Sequence, residues 1–178
     1  PATIQRLRIG AGRDGKITAI AHENWSGNIN GEDGEIGTYQ TPKLYAGANR
    51  LVANYTAALD LPEGNAMRAP GEAPGHMALE VAMDELAEKL GIDPIELRVR
   101  NEPDRVPGDP TKKFSDRNLV RCLREGAERF GWNRRNAKPA QVRDGHWLVG
   151  MGVSAGYRAA PITKSAARVR LDGEGRVV

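Results

Sequence analysis

One cysteine, Cys122, is the only thiol in this 178-residue chain. A single thiol closes no internal disulfide and cannot supply the several thiolates that hold an iron–sulfur cluster. Aromatic residues are scarce at 5%, so a core must be assembled from Leu, Val, Ile, Ala and Met. No stretch comes near the roughly 20 consecutive apolar residues of a membrane span. The opening residues show no charged segment followed by an apolar one, the pattern of a secretory leader. Charge of one sign is not in excess either: 26 basic residues face 23 acidic ones, a net of +3. The basic residues form no stripe, which removes the electrostatic footprint of a nucleic-acid binder. His22, His76 and His146 lie in no H-E-x-x-H or paired Cys/His spacing, so a zinc site built from side chains is unsupported. Asn24-Trp25-Ser26 and Asn54-Tyr55-Thr56 match the glycosylation sequon; without a secretory leader they read as chance matches.

What is present describes an ordinary globular protein, with 39% hydrophobic and 28% charged residues and enough length for one domain or two small ones. The chain opens as a hairpin. Arg6–Ile9 leads into Gly10-Ala-Gly-Arg-Asp-Gly15 and Lys16–His22 leads out, with Asp14-Gly15 supplying residues that accept positive φ. Asn28 to Gly37 is polar and glycine-rich, hence a loop, and Glu23, Glu32, Asp33 and Glu35 read as a solvated acidic patch. Leu44 to Leu59 suggests one or two further strands. From His76 to Leu90 the period turns helical: Leu79, Met83, Leu86 and Leu90 share one face, while Glu80, Asp84, Glu85, Glu88 and Lys89 mostly occupy the other. Gly91 ends that helix. Asp93-Pro94-Ile95-Glu96 predicts a capped second helix running to about Arg100. Ser115 is read as the cap of a third helix that buries Leu119, Leu123, Ala127 and Phe130 and stops at Gly131.

Strands return at Trp147–Val153 and again in Arg168–Val178. The last piece mirrors residues 6–17, either as half of a duplicated unit or as a coincidence of hairpin chemistry. The fold class is α+β, a mixed sheet of hairpins at both ends with two to three helices packed on a sheet face. Residues 1–64 make the strand-rich part, 65–135 the loop and helices, and 145–178 the returning strands. Val178 falls inside an apparent strand, which predicts that residues 1–178 are a fragment of a longer subunit.

Two motifs invite chemistry and lack its context. Gly10-Ala-Gly-Arg-Asp-Gly15 matches G-x-G-x-x-G, but a strand-like segment follows where dinucleotide binding needs a helix. Gly152-Val-Ser-Ala-Gly156 matches the nucleophile elbow. All three histidines precede Ser154, however, against the Ser–acid–His order of that fold, and Pro161 makes the following segment a poor helix.

Residues 65–75, Asn-Ala-Met-Arg-Ala-Pro-Gly-Glu-Ala-Pro-Gly, are the sharpest signal. A lone arginine, Arg68, sits in a stiff loop just ahead of a helix start, offering a fixed cation and free N–H groups at one point. Together with Asp84-Glu-Leu-Ala87, Gly91-Ile-Asp-Pro-Ile-Glu-Leu-Arg-Val-Arg-Asn-Glu102 and Leu148-Val-Gly-Met-Gly-Val153, this loop resembles the molybdenum-binding subunit of the xanthine dehydrogenase and aldehyde oxidase family. Met-Arg-Ala-Pro-Gly-Glu is nearest to the bacterial aldehyde-oxidising branch. The resemblance implies molybdenum held by molybdopterin, in its cytosine dinucleotide form, and not by side chains. It implies iron–sulfur and FAD subunits as partners, and oxidation of a small aldehyde or N-heterocycle with water as oxygen donor. Arg68, Ala69 and Gly71 would face the cofactor, with Met67 and Pro70 on the substrate side. Met67 and Pro70 stand where xanthine dehydrogenases carry phenylalanines, so the ring faces that stack a purine are gone. Two readings from other classes stand beside this one: a non-catalytic interaction domain that keeps the scaffold, and a serine hydrolase acting through Ser154.

The departures matter as well. No Gly-x-Gly-Glu segment carries the glutamate that acts as general base in the family, so no catalytic residue is assigned here. The further Gln- and Gly-rich pterin loops are also missing. The isolated 178-residue chain is therefore expected to bind no molybdopterin tightly and to turn over no aldehyde; elemental analysis finding one molybdenum per purified chain would contradict this.

Overall fold

Alternation lays out the first sheet. β1 (Thr3–Ala11) and β2 (Ile17–Asn28) pair antiparallel, with Leu7 opposite His22 and Ile9 opposite Ile20. The turn between them takes the form that Asp-Gly predicts: Gly15 adopts φ +82° and the Lys16 N–H donates to Asp14 Oδ1 at 3.0 Å. β3 (Asn49–Ala58) runs parallel to β2, so the strand order is β1-β2-β3. A parallel return cannot be made by a tight turn, and residues 29–48 supply the crossover, including the short helix α1 (Thr41–Leu44). The structure, a computed structural model, describes residues 2–158 and 163–177.

Helix α2 (Glu72–Leu90) starts one turn before His76, because Pro74 is harmless in a first turn whose N–H groups lack partners anyway. Leu79 and Met83 are fully buried on the predicted face, with Leu86 and Leu90 packed beside them. Gly91 closes the helix at φ +64°, its N–H donating to Glu88 O while Ile92 N–H reaches Ala87 O. α3 (Pro94–Arg100) begins as predicted: Asp93 Oδ1 accepts the N–H groups of Ile95 at 2.9 Å and Glu96 at 3.2 Å. α4 (Leu119–Phe130) departs from expectation, beginning four residues after Ser115. Arg117 is pulled back to Glu102 at 2.5 Å and to the carbonyls of Lys43 and Leu44 at 3.0 and 2.6 Å, which holds residues 115–118 out of the helix. Of its apolar stripe only Leu123 is buried; Phe130 remains exposed.

The expected strand Trp147–Val153 shortens to β5 (Trp147–Val149), paired antiparallel with β4 (Val142–Asp144). The last predicted hairpin is reduced to one bridge, Leu171–Val177, around a turn at Gly175; Val178 lies outside the described residues. The class is α+β. Among the described residues no helix is long and apolar enough to cross a membrane.

One charged residue breaks the helical pattern. Glu80, expected on the polar face of α2, is 4% exposed and sits among core side chains. Its Oε1 accepts the Tyr45 hydroxyl at 2.6 Å, and its Oε2 accepts Arg98 Nε at 2.8 Å and the Ala155 N–H at 2.6 Å. Arg98, itself fully buried, also donates to Pro94 O at 3.0 Å and to Val153 O at 3.3 Å. Asp84 Oδ1 lies 2.8 Å from Arg98 Nη1 as an ion-pair contact that misses hydrogen-bond alignment. Burial alone would lower the Arg98 guanidinium; the negative charge of Glu80 and Asp84 outweighs it and holds the group above its ordinary value. Burial, then the Glu80 charge, push the Tyr45 hydroxyl well above the usual tyrosine range, so it stays a donor.

Removing one partner of such a pair strands a buried charge. Arg98→Met is expected to cost about 3–5 kcal/mol of unfolding free energy, read as a fall in the urea midpoint. Arg98→Met combined with Glu80→Gln should recover part of that loss, because no bare carboxylate then remains inside.

Candidate functional site

The inward face of β2 begins apolar and turns polar. Ile20 packs in the core, then His22, Asn24, Ser26 and Asn28 follow at period two, all buried. Polar groups taken out of water need partners; His22 finds them in Gln5 and Thr41, while Asn24, Ser26 and Asn28 donate to the loop laid across them, with Asn24 Oδ1 left without a partner. Asn24 Nδ2 donates to Glu35 O at 2.6 Å and Ser26 Oγ to the same oxygen at 3.3 Å. Asn28 Nδ2 donates to Asp33 O at 2.7 Å and Gly64 O at 3.2 Å, and its Oδ1 accepts the Gly64 N–H at 2.8 Å. With Asn24 buried and engaged in this way, its sequon has no accessible acceptor.

The loop at 34–37 is in turn pressed between β2 and the start of α2. A Cβ at Gly75 would run into the Gly37 carbonyl, and one at Gly71 into that of Ile36. Gly71, expected to face the cofactor, is packed against the chain's own backbone at Ile36. Its N–H is also taken, by the Glu35 carboxylate. Glu35 is therefore no solvated patch residue; Glu32 and Asp33 remain exposed.

Arg68, Ala69 and Pro70 stand together at the rim of a cleft of about 690 Å³, completed by Glu72, Ala73, His76 and the opposing segment Gly156–Arg158. Arg68 and Pro70 are exposed, as is Met67 at 81%. Met67 and Gly71 do not line this cleft. Ala69 adopts φ +60°, a left-handed value uncommon for a residue with a Cβ. Two contacts join the walls. Glu72, buried at the first position of α2, accepts Arg158 Nη1 at 2.5 Å and Gln40 Nε2 at 3.1 Å. The Tyr157 N–H points at His76 Nε2, 3.4 Å away. The segment 156–158 was not picked out from sequence as part of the site; the only available signal was its place just after the Leu148–Val153 match.

Ser154 lies in a stretch without regular secondary structure, pinned on both sides by Val153 O to Arg98 and by Ala155 N–H to Glu80. No helix follows it through Arg158, so the strand–turn–helix geometry of an elbow is not formed there; residues 159–162, with Pro161, lie outside the described residues. Gly10–Gly15 is a hairpin turn, with its Gly12 N–H bonded to Lys16 O at 2.9 Å. Among the described residues no three His, Cys, Asp or Glu side chains gather to hold a metal ion.

A loop that presents a cation to an open cleft suits a domain that docks an anionic group. The chain belongs to the molybdopterin cofactor-binding domain family, whose model matches residues 1–102. It is 62% identical over 177 residues to the aldehyde oxidoreductase molybdenum-binding subunit PaoC of Escherichia coli strain K12, covering 99% of this chain and 24% of that protein. A putative xanthine dehydrogenase molybdenum-binding subunit, XdhA of the same organism, is 28% identical over 159 residues, 83% of this chain and 20% of its own length. The chain thus spans about a quarter of the length of PaoC. Among solved structures, the aldehyde oxidoreductase of Desulfovibrio desulfuricans matches with a TM-score of 0.56 at 27% identity, over 76% of this chain and 16% of that one. Quinoline 2-oxidoreductase from Pseudomonas putida reaches a TM-score of 0.60 at 18% identity over 72% of this chain and 18% of that one, a likeness of fold alone.

His22, on the inner face of β2, carries a pH dependence. Its Nε2 is 2.9 Å from Gln5 Oε1 and its Nδ1 is 2.7 Å from Thr41 Oγ1. Gln5 Nε2 is already spent on Thr3 Oγ1 and Pro74 O, so Gln5 Oε1 accepts and the proton sits on His22 Nε2. Burial lowers the imidazole from 6.5 to about 4. The unfolded chain therefore takes up this proton first as pH falls. The contribution of His22 is complete above pH 6.5 and is lost between 6.5 and about 4, on the order of 3 kcal/mol in all. Urea midpoints measured across that window should fall with pH, and His22→Gln should flatten the dependence.

Proposed function

We propose that this chain is part of the molybdenum-binding subunit of an aldehyde-oxidising molybdenum hydroxylase, and that the loop 66–71 is its cofactor-facing element. The observation that carries the proposal is the Arg68–Pro70 rim of the open cleft, set on a domain of the molybdopterin-binding family. The residues present fit one wall of such a site. Arg68 supplies a positive charge suited to a phosphate-bearing pterin, while Arg158 on the far side is already paired with Glu72. A group that brings its own sulfur ligands needs no protein thiolate or imidazole.

When bound, molybdopterin supplies the oxidising centre that takes two electrons from the substrate, with water as the oxygen donor. The part of this chain is electrostatic and steric. Arg68 and the backbone of Ala69 place donors beside charge that develops during oxidation, preorganised by a loop fixed to the scaffold. Gly71 acts indirectly, as the one residue that lets α2 start hard against residue 36. Pro70 on the cleft and Met67 just outside it would offer the substrate side a small apolar surface without a ring face, which suits aldehydes better than purines. The 62% identity to PaoC supports the aldehyde reading. The general base, the remaining pterin contacts, the cytosine dinucleotide tail, and the iron–sulfur and FAD subunits that carry electrons away belong to the rest of the assembly.

Arg68→Ala tests the assignment in the natural-length, cofactor-loaded subunit. Aldehyde turnover is expected to fall about 10²- to 10³-fold, the effect of losing one preorganised donor. Unfolding stability should change by no more than about 0.5 kcal/mol, as for other exposed positions. Wild-type kcat in this variant would sink the assignment and favour a non-catalytic interaction domain.

A further inference from the structure

Glu35 sits in an acidic loop, yet its carboxylate is directed at the arginine loop. Oε1 accepts the Gly71 N–H, a donor at the start of α2. Such donors lack helical partners and favour a negative charge. The Glu35 carbonyl is held on β2 from below by Asn24 Nδ2 at 2.6 Å and Ser26 Oγ at 3.3 Å. Two residues along the same strand, Asn28 grips Gly64 through both its carbonyl and its N–H, at 3.2 and 2.8 Å. The arginine loop is thereby strung between two points, Gly64 and Gly71, both tied to one rigid strand. Between those points Ala69 is held at φ +60°, and a left-handed residue with a Cβ persists where its surroundings over-determine it.

We propose that Glu35 is a positioning residue for the arginine loop: anchored on β2 through Asn24 and Ser26, its carboxylate fixes the Ala69–Gly71 turn and so the place of Arg68 in the cleft. The proposal rests on the functional reading above, since the place of Arg68 matters to catalysis only if that loop faces molybdopterin. It assigns a role to the polar residues of β2, which touch neither Arg68 nor the cleft.

Limited trypsin digestion of the natural-length subunit, freed of cofactor, reads the bracing directly. The Arg68–Ala69 bond lies within the braced span, and the exposed Lys113–Phe114 bond serves as an internal reference. Glu35→Ala is expected to speed cutting at Arg68 about ten-fold relative to Lys113, the effect of losing one charge-assisted hydrogen bond on local opening. Glu35→Gln keeps an acceptor oxygen and should restore most of the protection. Unchanged cutting at Arg68, or equal acceleration at both bonds, would overturn the proposal. Turnover of the loaded subunit separates the two layers. About a ten-fold lower kcat in Glu35→Ala, rescued by Glu35→Gln, supports both. Faster cutting at Arg68 in Glu35→Ala, with wild-type turnover both in Glu35→Ala and in Arg68→Ala, keeps the bracing and overturns the molybdenum reading. Loss of turnover in Arg68→Ala with Glu35→Ala at wild type in both assays keeps that reading and overturns the bracing.

Discussion

The docking of α2, of α3 and of the returning segment turns on the carboxylate of Glu80. A charge 4% exposed in a core of Leu, Met and Ile is tolerable only when every lone pair that matters is engaged and a cation stands beside it. Here the partners of Glu80, itself on α2, come from three other places in the chain: Tyr45 after α1, Arg98 on α3, and Ala155 on the returning segment. Hydrogen bonds have direction where apolar contacts do not. These therefore fix the azimuth of α2, the docking of α3 and the path of residues 153–158 together. The last consequence reaches the site, because Gly156–Arg158 is the wall facing the arginine loop.

The second half of the design is polar as well. β2 turns its inner face from Ile20 to His22, Asn24, Ser26 and Asn28, and a buried polar face must be matched by the chain that covers it. The covering loop at 33–37 carries Gly34 and Gly37, since side chains there would collide with Ser26, Thr56 and Asn24. The tight layers of strand, loop and helix start are possible only because glycines occupy the crossing points, Gly37 against Gly75 and Ile36 against Gly71. Apolar contacts tolerate sliding; this stack does not, and it stands directly under the loop that bears Arg68.

Much of the architecture was legible in the residues. The Asp14-Gly15 hairpin, the Leu79–Met83 face, the Gly91 stop and the Asp93-Pro94 start all obey local rules, and each appears where those rules put it. The arginine loop stood out for the same reason, as a sequence-local collection of proline, glycine and one cation. The misses are equally instructive. Ser115 has the chemistry of a cap, but Arg117 is recruited by Glu102 and by carbonyls more than seventy residues away, and the helix begins later. Glu80 looked like surface because its partners are spread over more than a hundred positions of sequence. Glu35 looked like part of a solvated patch because nothing in its neighbourhood announces Gly71.

The sequence by itself determined the α+β class, the first hairpin, the long helix with its glycine stop, the Asp93 cap and the loop that characterises the family, because each is set within a few residues by sterics, periodicity or terminal hydrogen bonds. Tertiary structure alone decided which charges go inside, where the parallel strand β3 pairs, which segment faces Arg68, and what holds the arginine loop still. Those outcomes depend on hydrogen bonds closed between distant residues. Their energy exists only once solvent is excluded and geometry is fixed, so no local pattern can carry them.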